Sequence, residues 1–396
     1  MANVSKLLHN NSDSCLTKEL NLTPAHKSKL IEARRDIRSH LRQAFHGAQT
    51  RLFGGDAVRP KFYTQGSFAY HTINLPAHNP PQQIDLDDGI YLPVSFLEEA
   101  GQPRQASQLF ISFVDDVLRD LASRRNWTFV GNKDTCARLE LDAETHVDIP
   151  MYAIPDRDFK QLQEKAMARG HVKADGSVFF SEALFDDDWS MIPTDQVHLA
   201  HRKNGWIASD PRVINDWFDA AVSRHGKELR RVYRYLKAWR DFQSPYGGAS
   251  GGLARVSSIL LMACAVKAYG EYSSTSGFGR DDQALQTVAR HLPQLLRLGV
   301  ADPADPDQML TDRLTQQDRQ DAISAANVLG QRLNSAIDTT QDCHRVVDLM
   351  TGLFGPRVPQ RPDLVQVAFK SSPRTVVESH APAVVAAPTI PRNKSA

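Results

Sequence analysis

The 396-residue chain is long enough to bury one large core or two moderate ones. Its 47 basic and 46 acidic side chains leave a formal net charge of +1, which argues against a general, non-specific grip on nucleic acid. Cys15, Cys136, Cys264 and Cys343 lie far apart with no C-x-x-C pair, so there is neither a disulfide framework nor a zinc signature; with no signal-like start and no apolar run of ~18 residues, the expectation is a soluble, cytoplasmic chain with no membrane partner.

Residues 1–22 form an N-terminal segment, of which 1–20 read as polar and loosely held. Thr23-Pro24 starts a helix, with Thr as N-cap and Pro at the first helical position. Leu30, Ile31, Ile37, Leu41 and Phe45 recur at roughly helical spacing to its end, and Lys27, Arg34, Arg35, Arg38 and Arg42 read as a solvated face.

The stretch Tyr63–Tyr91 carries the chemistry. It opens with a Gly-Ser turn, Gln65-Gly66-Ser67, and ends in a strand, Ile84–Leu92, that holds Asp85 and Asp87. Residues two apart in a strand share a face, so the two carboxylates project together while Leu86 and Asp88 point the other way. Like charges on one face call for something positive between them, and hard oxygen ligands suit Mg²⁺ or Mn²⁺. The Gly-Ser turn offers backbone N–H groups and a hydroxyl to a phosphate. Taken singly, a D-x-D is commonly a solvated strand end and a Gly-Ser an ordinary turn. Together they favour phosphoryl or nucleotidyl transfer.

A second helix is expected over 105–125, with Leu109, Phe113, Val117 and Leu121 facing the core. Trp127–Val130, Arg138–Leu141 and Thr145–Tyr152 read as strands. In the last, Val147, Ile149 and Met151 share one face, and His146, Asp148 and Pro150 the other. Asp148 is a candidate third carboxylate for a two-metal site with ions ~3.5–4 Å apart. The pattern alone balances this against mere decoration of a half-exposed strand. A lone His more often serves as a structural partner, so His146 stays outside the metal set. Arg138, whose planar fork suits a phosphate or base edge, reads on the pattern alone as a strand-face ion pair with Glu140 or Glu144.

Residues 156–168 look helical, and 171–196 form a polar excursion. Its Asp186-Asp187-Asp188 reads as solvated loop, because consecutive carboxylates in an extended segment cannot converge. Asn204-Gly205 is a turn, and Ser209-Asp210-Pro211 starts a helix with Ser or Asp as cap. Over 227–242, Leu229, Val232, Tyr233, Leu236 and Trp239 form a buried stripe. Arg230, Arg234 and Lys237 line a neighbouring face; Arg230 and Arg234 are expected in solvent. Pro245–Gly252 is a flexible loop without the lysine of a P-loop, and Ser257-Ser258 caps an apolar helix. Helices follow at about 283–298, 312–336 and 340–353, with a loop at Ala301–Asp307 between the first two. Residues 371–396 read as a disordered tail.

A Gly-Ser turn, then D-x-D on a strand, then a single Asp on a later strand is the pattern of the polymerase-β-like nucleotidyltransferases. The wording TQGSFAYHT, IDLDDGIYLP, THVDIPMYAIP, SDPRVINDWF and LKAWRDFQ resembles the bacterial cGAS/DncV-like branch, from about Phe62 to about His291. The resemblance implies an α/β fold: a polymerase-β-like core with a mixed sheet over 23–205, a mainly helical nucleotide-binding lobe over 206–355, and an extended C-terminal segment over 356–396. It implies catalysis by Asp85, Asp87 and Asp148 with Mg²⁺ or Mn²⁺. It places Gln65, Gly66, Ser67, Tyr70, Arg138, Ser209, Lys237 and Ser258 at nucleotides, and loosely Asp302 against a guanine edge. The implied reaction joins ATP and GTP into 3′,3′-cyclic GMP-AMP, a messenger in anti-phage defence read by a downstream effector. Some members have C-termini joined to other proteins by a ubiquitin-transfer-like enzyme. Another cyclic product, a linear oligonucleotide and a non-catalytic nucleotide sensor remain open alternatives.

Overall fold

The computed structural model of the protein describes residues 1–52, 59–94, 103–162, 196–244, 251–273 and 277–367. Strand β1 (Ala2–Asn3) and two helical turns, α1 (Ser5–Leu8) and α2 (Leu16–Glu19), lead into the long helix α3 (Pro24–Leu52). Thr23 caps that helix as expected, its hydroxyl accepting from the His26 N–H at 3.2 Å. Strand β2 (Lys61–Gln65) runs directly into the turn α4 (Gly66–Ala69), and β3 (Ile84–Pro93) follows. Next come α5 (Pro103–Arg125), β4 (Thr128–Val130), β5 (Cys136–Glu140) and β6 (Thr145–Ile154). The hairpin β7 (His198–His201) and β8 (Gly205–Ala208) turns at Asn204-Gly205.

These strands form one mixed sheet in the order β2-β3-β6-β5-β4, with β7 added beside the end of β6 and β8 beside β7. Only β3 and β6 run parallel; the other pairs are antiparallel. β6 is buried along its whole length, as befits a central strand. Helices α3 and α5 cover one face, where Leu30, Ile37, Leu41 and Phe45 meet Leu86, Ile90, Val147 and Ile149. The core-facing side of α5 is Phe110, Val114, Leu118 and Leu121, and Leu109 is 48% exposed. The expected stripe was built from steps of four alone. Each such step overshoots a full turn by about 40°, so the stripe winds off the buried face.

The rest of the chain is a helical lobe: α6 (Pro211–His225), α7 (Lys227–Gln243), α8 (Ser258–Tyr272), α9 (Asp281–Leu298), α10 (Gln316–Asn334) and α11 (Cys343–Phe354). Helix α7 runs through its core, with Leu229, Val232, Tyr233, Leu236 and Trp239 all buried as the spacing requires. Ala301–Asp307, expected as a loop, instead begins a small hairpin of β9 (Ala301–Asp302) and β10 (Asp305–Met309).

The N-terminal segment is not loosely held. β1 pairs antiparallel with β11 (Gln366–Val367), and Val4, Leu7, Leu8, Leu16 and Leu20 are buried in the core of the helical lobe. Asp282 accepts from Val4 N at 2.8 Å and from Ser5 Oγ at 2.7 Å. Both partners lie more than 270 positions away, which local periodicity cannot register. Asp186, Asp187, Asp188, the tail 371–396 and most of the Pro245–Gly252 loop lie outside the described residues.

Candidate active site

The β2–α4 junction is the first wall of the site. Gly66 adopts φ +66°, a conformation that favours glycine. Antiparallel pairing sets Gln65 opposite Asp87 and Thr64 opposite Asp88. Along β3 the alternation holds as expected: Leu86 enters the core, while Asp85 and Asp87 open onto a cavity of about 690 Å³. Asp88 points the other way, only 1% exposed, and pairs with the fully buried Arg38 through contacts of 2.7 and 2.6 Å.

The parallel register of β3 and β6 sets Asp85 beside His146 and Asp87 beside Asp148. Three carboxylates therefore gather across two adjacent strands. His146 Nε2 lies 2.9 Å from Asp85 Oδ1. Arg138 stands opposite Asp148 on β5 and holds both of its oxygens, at 2.6 and 2.7 Å.

Burial would raise the Asp85 carboxyl, but His146, with Arg138 and Lys237, outweighs it and holds the group below the usual carboxylate range. Asp87 goes the other way. Burial, then repulsion by Asp85 and Asp148, pushes it well above that range, against the opposing pull of Arg138 and Lys237. Three carboxylates thus crowd a partly buried corner, and Asp87 is the one whose repulsion outweighs the nearby positive charge. Asp85, His146 and Asp148 can each offer a ligand atom within 4.8 Å of the others. A donor set of carboxylate oxygens with one imidazole fits a hard divalent cation such as Mg²⁺ or Mn²⁺.

Across the cavity, α7 brings Lys237, which is 7% exposed. Its Nζ donates to Thr72 O at 3.1 Å, and burial pushes its pKa down to about 8, against the pull of Asp241. Gln65, Gly66, Ser67, Tyr70, Asp85 and Asp87 line the cavity on the sheet side. Ser209, Lys237, Ser258 and Asp302 line it from the helical lobe. Asp148 and Arg138 are not part of this wall; their ion pair turns them toward each other. The sheet-face partner of Arg138 is therefore Asp148, not Glu140 or Glu144. Gln65 donates to the Tyr152 hydroxyl at 3.0 Å. Tyr70 is buried with its hydroxyl pushed up, first by burial and then by Asp87.

The two candidate serines are not the caps. Asp210 caps α6 through the Arg212 N–H at 2.9 Å, and Ser257 caps α8 through the Leu260 N–H at 3.1 Å. Ser258 Oγ instead accepts from Arg240 Nη1 at 3.1 Å. Asp302 accepts from Arg313 at 2.8 Å and from Ala304 N at 3.0 Å. Arg234 is not in solvent: it is 8% exposed and donates to Asn74 Oδ1 at 2.8 Å and Asn21 Oδ1 at 3.0 Å. Arg230 is half-buried against Asp219 at 2.8 Å. A helix surrounded on nearly all sides keeps few solvated positions, and amphipathic reading underestimates that.

Sequence reasoning missed Gln83, Tyr152, Arg240, Asp241 and Arg313, which also line the cavity. Arg240 and Asp241 follow Lys237 by three and four residues on α7, a spacing that sets them on the same face.

Residues 60–152 match the family described as "Cyclic GMP-AMP synthase DncV-like, nucleotidyltransferase domain", and residues 226–367 match "Cyclic GMP-AMP synthase, C-terminal domain". The chain is 39% identical over 261 residues to a cyclic GMP-AMP synthase of Vibrio cholerae, and 38% identical over 257 residues to one of Escherichia coli. Each alignment takes in 63% of this chain but only 56% of the relative, so the chain matches little more than half the length of these curated relatives. A crystal structure of the Vibrio cholerae DncV cyclic AMP-GMP synthase with the linear intermediate 5′ pppA(3′,5′)pG superposes with a TM-score of 0.74 at 28% identity. That likeness covers 93% of this chain and 99% of the other. A mutant of the same protein, in complex with ATP and GTP, gives a TM-score of 0.74 at 27% identity, covering 93% and 100%. The sheet with its gathered carboxylates, the helical lobe and both matched domains agree: the chain belongs to the DncV-like nucleotidyltransferases.

Proposed function

We propose that this chain is a cyclic dinucleotide synthase that joins ATP and GTP into 3′,3′-cyclic GMP-AMP with release of pyrophosphate. The observation that carries the reading is the gathering of Asp85, Asp87 and Asp148 on adjacent parallel strands, beside a cavity whose opposite wall holds Lys237. The printed names of the curated relatives and the ligands of the solved ones support the choice of substrates.

Asp85, Asp87 and Asp148 would hold two Mg²⁺ or Mn²⁺ ions, which when bound favour ionisation of the attacking 3′-hydroxyl and neutralise charge on the transferring and leaving phosphates. The chain's own residues bind and orient. Gln65, Gly66 and Ser67 cradle the triphosphate beside the carboxylates, and the Lys237 ammonium meets its charge from the other wall. Tyr70 borders a base. Ser209 and Ser258, neither spent on a cap, offer hydroxyls to a nucleotide, and Asp302 offers carboxylate oxygens to base N–H donors. Arg138, holding Asp148 by both oxygens, keeps that carboxylate aimed. A first attack of a 3′-hydroxyl on the partner's α-phosphorus gives a linear dinucleotide, and a second closes the ring. The product then serves as a messenger in anti-phage defence that acts through a downstream effector, and the tail beyond 371 is the segment offered to a ubiquitin-transfer-like enzyme.

The test is incubation of the purified chain with all four ribonucleoside triphosphates and Mg²⁺ or Mn²⁺, followed by phosphatase and mass spectrometry. A phosphatase-resistant product with the mass of cyclic GMP-AMP is expected. A linear or trinucleotide product would correct the product alone. No pyrophosphate release under any condition, including with cell-derived activators, would sink the catalytic reading.

A further inference from the structure

We infer that Gln82 is a positioning residue for ring closure: its amide ties the end of α7 to the strand that carries Asp85, and so keeps the two walls of the cavity in register around the linear intermediate until the second attack. The inference rests on the reading of the chain as a cyclic dinucleotide synthase.

Helix α7 ends, like any helix, on carbonyls that have no partner within it. The strap between α4 and β3 supplies partners. Gln82 Nε2 donates to Asp241 O at 2.7 Å and to Ser244 O at 3.0 Å. Carbonyls can only accept, so the amide nitrogen is the end that faces α7. The amide oxygen accepts from His78 N at 3.1 Å, and Gln82 N donates back to His78 O at 2.7 Å. Both amide hydrogens and the amide oxygen are thereby engaged. His78 runs alongside: its ring stacks on Phe242 with centroids 5.7 Å apart, and its Nε2 lies 3.1 Å from Phe242 O.

The tie joins the two walls. Gln82 stands three residues before Asp85, and Asp241 four residues after Lys237. Gln82, Asp85, Lys237, Asp241 and Ser244 all line the cavity. The lobes do not depend on this tie for attachment. Asn74 and Arg234 exchange bonds of 2.9 and 2.8 Å, and Arg357 donates to Leu75 O at 3.2 Å and to Ala238 O at 2.7 Å. Those contacts dock the strap on α7 independently, which leaves Gln82 to set the alignment of the walls where they meet.

Ring closure is the step most sensitive to that alignment. In it the free 3′-hydroxyl of the linear dinucleotide attacks the α-phosphorus of its own 5′-triphosphate. A bond forms from phosphorus to the 3′-oxygen, the bond to the bridging α–β oxygen breaks, pyrophosphate leaves, and the hydroxyl proton passes to solvent. The intermediate must first exchange its two ends between the walls, and release competes with the second attack while it does so. A triphosphate that escapes is replaced from bulk substrate, whereas a linear dinucleotide that escapes is diluted. Misaligned walls therefore show first in the partition between linear and cyclic product.

The experiment is incubation of the full chain and three variants with ATP, GTP and Mg²⁺ in substrate excess, with linear and cyclic dinucleotides quantified by mass spectrometry in the same reaction. Both products come from the same active molecules, so their ratio does not move when part of the protein is merely unfolded. Gln82→Leu removes the donors and the acceptor, and should raise the linear-to-cyclic ratio ~10-fold. Gln82→Glu keeps the acceptor for His78 N but sets a carboxylate against two carbonyls, and should raise the ratio at least as far. Gln82→Lys loses the acceptor but restores a donor at a helix C-terminus, and should return the ratio toward that of the unaltered chain. Linear and cyclic product falling together at a constant ratio in Gln82→Leu overturns the inference. A folded Gln82→Leu that releases no pyrophosphate overturns it too, because Gln82 would then act in the first step. A ratio raised as far in Gln82→Lys as in Gln82→Leu assigns the effect to the His78 turn and overturns the tie to α7. In each of these outcomes the unaltered chain still makes cyclic product and the reading of the reaction stands. An unaltered chain that makes no cyclic dinucleotide overturns both.

Discussion

Gly66 lies against the carboxylate of Asp87: a Cβ placed on Gly66 would fall 2.0 Å from Asp87 Oδ2 and 2.9 Å from its Cγ. The glycine therefore lets the β2–α4 turn close directly over a candidate metal ligand. Gly66→Ala should strain a backbone at φ +66° and push Asp87 off its position. A misplacement of ~1 Å costs on the order of 100-fold in rate, so kcat should fall by ~10²-fold with the fold retained by circular dichroism. A variant within about threefold of the unaltered rate would mean that the turn tolerates a side chain and that Asp87 is not tightly placed.

Asp87 is the carboxylate whose charge is least compensated. Its folded pKa lies above the unfolded value of 3.8, so the folded state holds the proton more tightly. For this group, stability of the metal-free chain falls as pH rises from the unfolded value through the raised folded one. Asp87→Asn removes the repelled charge. It should flatten that part of the pH profile and raise the melting temperature of metal-free protein near neutral pH. The same change should abolish Mg²⁺-induced stabilisation and lower activity by ~10²-fold or more. A melting temperature that falls in the metal-free Asp87→Asn protein would show that the three carboxylates do not repel as their placement implies.

The carboxylate site was legible because strand geometry has a period of two. Asp85 and Asp87 on one face, and Leu86 and Asp88 on the other, follow from alternation alone. Asp148 needed the register of β3 against β6, which no local pattern carries. Nothing local marks His146, because its contacts, Gln83 and Asp85, lie 63 and 61 positions away. Arg234 departs from its solvated expectation because an amphipathic pattern assumes one wet face, whereas α7 is buried from Leu229 to Trp239 with few gaps. The N-terminal segment was missed for a related reason. Leu7 and Leu8 look sparse in a polar stretch until β11 and Asp282 are brought beside them.

Lys237 offers a pH signature. Burial sets its folded pKa at about 8, below the unfolded value of 10.5. Between those values the unfolded chain binds the extra proton, so this group's contribution to stability rises with pH across the window. Function moves oppositely, because above about pH 8 the amine facing the cavity loses its charge. KM for the triphosphates should rise through pH 8 to 9 with a smaller change in kcat. Lys237→Met should show a KM raised ~10-fold that no longer varies over that range. Retention of the pH dependence in Lys237→Met would assign it to another group.

The buried pair behind β3 is the last relationship open to a clean test. Arg38 and Asp88 are 0% and 1% exposed, and Thr64 Oγ1 contacts both, at 2.9 Å each. Removing one partner strands a buried charge, so Arg38→Met should cost ~3–5 kcal/mol of folding stability. Arg38→Met with Asp88→Leu should recover much of that loss, because the desolvation penalty disappears along with the pair. Activity separates positioning from stability. Asp88 adjoins Asp87 in the strand, so if the pair also sets the register of β3, the doubly substituted chain will fold well yet turn over more slowly at saturating substrate. Chemical denaturation of both single variants and the double, each followed by kcat and KM at a temperature where all are folded, reads both quantities. A double variant as unstable as Arg38→Met alone would show that the guanidinium acts through packing against Phe62, whose ring centre lies 5.5 Å from it, rather than through the ion pair.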